Sequence, residues 1–169
     1  MIRSDFVLKK KVRKHRYILA FFFVIIAIII SWTIWGNVTV GTTLYPIYDT
    51  NLPSGFEGYK IVQISDLHNA EFGQDNSQLW KILQKEAPNM IALTGDLIDS
   101  VHTDMEIAIS FVKRAMEIAP CYYVTGNHEA WLKDQYSALE KKLEDCGVRV
   151  LRNQSEILTS GDDRTQLIG

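Results

Sequence analysis

Three times in this chain an apolar, β-prone run ends and metal-binding side chains follow at once. Ile61-Val62-Gln63-Ile64-Ser65 runs into Asp66-Leu67-His68. Met90-Ile91-Ala92-Leu93-Thr94 runs into Gly95-Asp96-Leu97-Ile98-Asp99, and Tyr122-Tyr123-Val124-Thr125 into Gly126-Asn127-His128-Glu129. Asp66 and Asp96 are 30 positions apart, and Asp96 and Asn127 are 31 apart. That spacing is the length of a strand-helix-strand unit. Repeated units of this length predict parallel strands with the three polar clusters side by side at their carboxyl ends, where open α/β sheets place their ligands.

The segments between the clusters fit this scheme. Asp75 to Ala87 reads as a helix capped by Asp75, with Leu79, Ile82 and Leu83 on one side and Pro88 after it. Thr103 to Ala119 reads as a second helix, with Met105, Ile109, Val112 and Met116 on one face. Trp131 to Cys146 reads as a third, stopped by Gly147 as a C′ glycine stops helices. Val148 to Leu151 is expected to add a short fourth strand, and Glu156 to Thr159 with Thr165 to Ile168 a hairpin. Asn37 to Tyr48 is rich in β-branched residues and reads as a strand, followed by the turn-forming Asn51 to Gly55.

Tyr17 to Trp35 is a run of 19 residues without a charge, a proline or a glycine. A helix of that length spans about 28 Å at about 1.5 Å per residue, close to the hydrocarbon thickness of a bilayer. Both its faces are apolar, unlike a helix of a soluble core. The run is longer than a signal-peptide core, and no small-residue cleavage site follows it. Lys9, Lys10, Lys11, Arg13, Lys14 and Arg16 precede it, and Trp32 and Trp35 suit the far interface. The basic flank is expected in the cytoplasm and the rest of the chain outside it. The domain plan is therefore a basic cytoplasmic segment at 1–16, a transmembrane anchor at 17–35, a strand and linker at 36–55, and an α/β domain from 56 to 169.

Charge divides along the same lines. Residues 1–16 hold seven Lys/Arg and one acidic residue, whereas residues 36–169 hold 11 Lys/Arg and 19 Asp/Glu. An acidic body is a poor match for nucleic acid, which calls for basic stripes, and a good one for cations. Two cysteines, Cys121 and Cys146, are too few for a disulfide framework and read as two ordinary buried thiols, with a disulfide between them as the alternative outside the cytoplasm.

The site chemistry points to metal. Asp offers a hard oxygen, His a nitrogen and Asn an amide oxygen, a mixture suited to Mn²⁺, Fe or Zn²⁺. Two such ions about 3.5–4 Å apart can clamp a phosphoryl group and activate a water. The glycines before Asp96 and Asn127 are expected to permit the sharp turns that aim those side chains over the sheet. Taken singly, Asp66 and Asp99 could be turn or cap residues, and His68, His102 and His128 surface histidines. Independent caps have no reason to recur at strand-helix-strand spacing, so the clusters are read together. His102 matches no cluster.

Asp66-Leu67-His68, Gly95-Asp96-Leu97-Ile98-Asp99 and Gly126-Asn127-His128-Glu129 resemble, in order and spacing, the first three motifs of the calcineurin-like metallophosphoesterases. The anchor further resembles the membrane-attached bacterial branch of that family. The resemblance implies an α/β fold, this chain carrying the N-terminal half of a layered sheet with flanking helices. It implies two divalent ions: Asp66 and His68 on the first, Asp96 bridging, Asn127 on the second, and His128 beside the phosphate as charge stabiliser or acid. Asp99 would orient His128 or neighbouring backbone, and Glu129 receives no chemical role. The implied activity is hydrolysis of a phosphoester, with cell-envelope or lipid-linked esters plausible given the outward orientation. The family pattern continues with further histidines, whereas this sequence has none after His128. The expectation is an N-terminal half-domain, inactive alone. The alternative is a non-catalytic anchored module that binds or regulates.

Overall fold

The computed structural model describes the backbone from Ile2 to Gly169 and the side chains from His15 onward. The side chains of Lys9, Lys10, Lys11, Arg13 and Lys14, expected to set membrane orientation, lie outside the described residues. The chain divides into two units, residues 1–41 and 42–169.

The first unit is one helix, α1, Ile2–Val38. Its stretch His15–Val38, 24 residues with mean hydropathy 2.7, is long and apolar enough to cross a membrane. The expected anchor 17–35 falls inside it. At its end the side chains of Asn37 and Thr39 donate back to the carbonyls of Thr33 and Trp35 at 2.8 and 2.7 Å. Both are local bonds from a side chain to the carbonyl four residues earlier. The helix thus takes up the start of the expected strand 37–48. The remainder runs without strand pairing as far as Asp49, with Leu44, Tyr45, Ile47 and Tyr48 exposed. β-Branched composition favours extended backbone, but a strand also needs a partner, and none of the described residues supplies one.

The second unit is built on four parallel strands: β1 (Ile61–Ile64), β2 (Met90–Thr94), β3 (Cys121–Val124) and β4 (Arg149–Val150), in the order β1-β2-β3-β4. The connections carry α2 (Ser77–Glu86), α3 (Met105–Met116), and then α4 (Asn127–Trp131) with α5 (Tyr136–Asp145). Right-handed crossovers between sequential parallel neighbours put their helices on one face of the sheet. The register follows suit, pairing Val62 with Ile91, Ile91 with Cys121 and Leu93 with Tyr123. Ile91, Leu93, Cys121 and Tyr123 are buried to within 1%. The helices contribute Leu79, Leu83, Phe111, Val112, Leu139 and Leu143 to the same core.

The opposite face is covered mainly at its Met90 end. Phe56, Leu158 and Met90 form a small buried cluster there, joined by Tyr59, Tyr122 and Leu167. Leu158 and Leu167 come from the antiparallel hairpin β5 (Ser155–Ser160) and β6 (Asp163–Ile168). On the β1 edge Ile61 remains 52% exposed.

Two details depart from the sequence reading. Asp75 does not cap α2. It adopts a left-handed conformation (φ 55°), accepts the Trp80 indole N–H on its carbonyl at 2.6 Å and turns its carboxylate to Arg114 at 3.6 Å. Asn76 is the residue before α2, but its Oδ1 takes the N–H of Phe72. The third helix is also broken, because Lys133 is left-handed (φ 51°) between α4 and α5. α4 begins earlier than expected, at Asn127, because Glu129 is fastened to the neighbouring strand loop.

Candidate metal centre

The three polar clusters meet at the carboxyl ends of β1, β2 and β3. The loop after β1 continues the ladder beyond the strand. Asp66 N–H donates to Gly95 O (3.2 Å), His68 N–H to Asp96 O (2.9 Å) and Asn69 N–H to Leu97 O (3.3 Å). Asp66, His68, Asn69 and Asp96 all hold positive φ, between 47° and 59°. Left-handed backbone costs an L-residue about 1 kcal/mol or more, least for Asn and Asp. Such conformations persist where surrounding contacts over-determine them, and here the interloop bonds do so.

The outcome is a convergent donor set. His68 Nε2 stands 3.9 Å from Asp66 Oδ1 and 3.9 Å from Asp96 Oδ2. The donor atoms of Asp66, His68 and Asp96 all lie within 4.8 Å of one another. An ion bonded to each at about 2.0–2.2 Å needs donors about 3–3.5 Å apart, so small side-chain rotations suffice. Two carboxylates and an imidazole fit the divalent ions expected. The ring of His68 is turned for this purpose at some cost: its Nδ1 is buried without a hydrogen-bond partner among the described residues.

Asp96 divides its carboxylate between two tasks. Oδ2 faces His68, while Oδ1 accepts the backbone N–H of His128 at 2.8 Å. This close approach explains Gly126. Its φ of −99° is ordinary, so no turn requires glycine there. A Cβ at Gly126 would instead collide with Asp96 Oδ1 and stand 2.5 Å from Asp96 N. Gly95 is different, being left-handed (φ 88°) and also pressed against Gly126. The expectation that both glycines serve sharp turns therefore holds for Gly95 alone.

Glu129 is the residue sequence reasoning undervalued. Its carboxylate is wholly buried and accepts four backbone N–H groups. Oε2 takes those of Asp96 (2.8 Å) and Gly126 (2.9 Å), and Oε1 those of Leu97 (2.8 Å) and Ile98 (3.3 Å). One buried carboxylate thus fixes the Asp96 loop to the His128 loop. The only signal available in the sequence was an acidic residue one place after His128.

His128 packs edge-on against His68, ring centroids 4.4 Å apart, and lies tilted against Trp131 at 4.8 Å. Its Nδ1 accepts the N–H of Ser100 at 3.1 Å. Asn127 is exposed as the first residue of α4, adjacent to His128. Of the two roles open to Asp99, the structure displays the second, orienting backbone. Its Oδ1 accepts from Val101 N–H (2.6 Å) and His102 N–H (3.0 Å). Those bonds, that of His102 first, hold the Asp99 carboxyl below its ordinary value. His102 is exposed and lends its carbonyl to Asn69, consistent with its exclusion from the clusters.

A parallel sheet with a carboxylate-imidazole cluster at its carboxyl ends is the framework of a metal-dependent hydrolase domain. Residues 59–162 match the model of the calcineurin-like phosphoesterases, and the chain belongs to that family of metal-dependent phosphoester hydrolases. Among curated relatives, the uncharacterised metallophosphoesterase YkuE of Bacillus subtilis is 29% identical over 130 residues, 73% of this chain and 44% of the relative. The uncharacterised metallophosphoesterase YkoQ of the same organism is 26% identical over 113 residues, 64% of this chain and 42% of the relative. A transmembrane protein with a metallophosphoesterase domain from Bos taurus is 28% identical over 97 residues, 56% of this chain and 21% of the relative. The chain spans less than half the length of each of them.

Proposed function

We propose that this chain carries part of a dinuclear metallophosphoesterase, anchored by α1 and working outside the cytoplasm. The observation that supports it is the convergence of Asp66, His68 and Asp96 donor atoms within 4.8 Å at adjacent strand ends. In this reading Asp66 and His68 would hold one ion, Asp96 would be shared with a second, and Asn127 would serve the second. Bound ions supply Lewis acidity and a water made acidic enough to attack near neutral pH. The chain's own residues arrange the rest. Glu129 holds the Asp96 loop in register, and His128 stands beside the cluster where a phosphoryl oxygen would lie. Four donors do not complete two coordination shells. The chain by itself is then expected to bind metal weakly and turn over little substrate.

The long apolar helix, together with a relative named as a transmembrane protein, supports attachment to a membrane. The basic flank supports a cytoplasmic N-terminus. Phosphoesters of the cell envelope or of lipid headgroups are then the substrates within reach. Protease treatment of intact cells tests the orientation, since a body digested only after lysis would reverse it.

The functional test is Asp96→Asn in the full-length protein, read as Mn²⁺-dependent hydrolysis of bis(p-nitrophenyl) phosphate. The expected outcome is loss of both the metal dependence and at least about 100-fold of the rate, about 2.7 kcal/mol. Metal binding and hydrolysis indifferent to the change would defeat the enzyme reading and favour an anchored binding module.

A further inference from the structure

The short helix α4 and the turn after it sort their residues sharply. Glu129 and Leu132 are buried, whereas Trp131 between them is 60% exposed. A lone exposed aliphatic side chain is ordinary in a folded protein, but tryptophan is on average highly buried. The other tryptophan of this unit, Trp80, follows that rule: it is 3% exposed and stacks on Phe111 at 4.9 Å. The core therefore has no use for the indole of Trp131.

Its place in the fold suggests another use. The Trp131 ring meets that of His128 at 4.8 Å, and His128 meets His68, a member of the donor set, at 4.4 Å. The indole thus stands two ring contacts from the candidate metal centre. On the loop after β2, Val101 is 77% exposed as well, with its backbone held by the bond of its N–H to Asp99 Oδ1. Exposed apolar side chains therefore border the cluster from two loops. Sites for small organic ligands combine apolar and aromatic surface with a few convergent polar groups. A phosphoester has the matching parts: an anionic phosphoryl group and, one oxygen away, an organic group. With its phosphoryl group at the cluster, its organic group lies along this rim.

We propose that Trp131 is a specificity-determining residue whose exposed indole receives the organic group of the phosphoester and favours an aromatic or other apolar one. The statement rests on the phosphoesterase reading and narrows it: the substrates are esters of apolar alcohols rather than of sugars or polyols. Aromatic rings prefer offset or edge-to-face contact with one another, and an exposed indole offers either geometry to a ring in the substrate.

Phenylphosphonate and methylphosphonate share a phosphonate head and differ in the organic group, and neither is hydrolysed. Calorimetric binding of each to the Mn²⁺-loaded full-length protein in detergent tests the proposal. Wild type is expected to bind phenylphosphonate at least about five-fold tighter than methylphosphonate, which is about 1 kcal/mol. In Trp131→Ala that preference is expected to fall to about two-fold or less, through weaker binding of the phenyl compound. Trp131→Gln keeps a long side chain without a ring and takes the place of Trp131→Ala if that variant does not fold. Equal binding of the two phosphonates by wild type, or a preference that survives in either folded variant, would overturn the proposal. So would an equal loss of both phosphonates in the variants, which would make Trp131 a structural residue. If wild type binds methylphosphonate without preferring phenylphosphonate, this proposal alone falls; if it binds neither, the phosphoesterase reading falls and takes the proposal with it.

Discussion

Replacing Glu129 by Gln changes one oxygen to an NH₂ and little else in shape. The wild-type carboxylate serves two pairs of donors: Asp96 and Gly126 on Oε2, Leu97 and Ile98 on Oε1. The amide keeps one oxygen for one pair and turns two N–H groups toward the other. Full burial leaves no water to take over. Hydrogen bonds to a charged group contribute about 1.5–3 kcal/mol each, so two lost bonds amount to about 3–6 kcal/mol. If the NH₂ settles on the Oε1 side, the longer bond to Ile98 makes the lower part of that range apply. A typical domain has only about 5–15 kcal/mol in total. Urea unfolding of the protein in detergent should therefore show a midpoint lowered by roughly 2 M for an m of about 2 kcal/mol/M. Glu129→Asp keeps the charge but is one methylene shorter, and should fall between wild type and Gln. It also supplies the measurement if the Gln variant does not fold. A loss below about 1 kcal/mol in Glu129→Gln, at unchanged m, would refute the view that this carboxylate ties the two loops together.

Gly126→Ala should displace Asp96, since the new Cβ meets its Oδ1 and its N. The expected cost is about 1–3 kcal/mol by overpacking, with weaker Mn²⁺ binding by calorimetry; wild-type binding would show that the loop can shift. Stability should also fall as pH rises from about 9 to about 12. Burial pushes the Cys121 thiol up to about 12, so across that window the unfolded chain has lost a proton that the folded chain keeps. Burial, and then the Glu129 charge, push the Tyr123 hydroxyl up in the same sense. Each such group contributes a slope of up to about 1.4 kcal/mol per pH unit, measurable by thermal melts, and a flat profile would contradict the burial. Cys121 and Cys146 are both free thiols, the first buried and the second half-buried. Maleimide should accordingly label Cys146 first, and Cys121 only after urea is added.

The sequence by itself determined the parallel order of the three core strands, the placing of their polar clusters at one end of the sheet and the existence of the apolar helix. Each is written in local composition: an apolar run that stops at an Asp or a Gly, a spacing of 30 residues, a stretch without charge. The tertiary structure decided what each polar residue does. Glu129 reaches the N–H groups of Asp96, Leu97 and Ile98, 31 to 33 residues away. Ser100 faces a histidine 28 residues on, and Gly126 is glycine because of the Asp96 oxygen beside it. Nothing in the local pattern marks such partners, because strand register and loop approach choose them. For the same reason residues 39–49 stay unpaired despite their β-prone composition. A strand's existence depends on a neighbour as much as on its own residues, and only the folded chain says whether the neighbour is there.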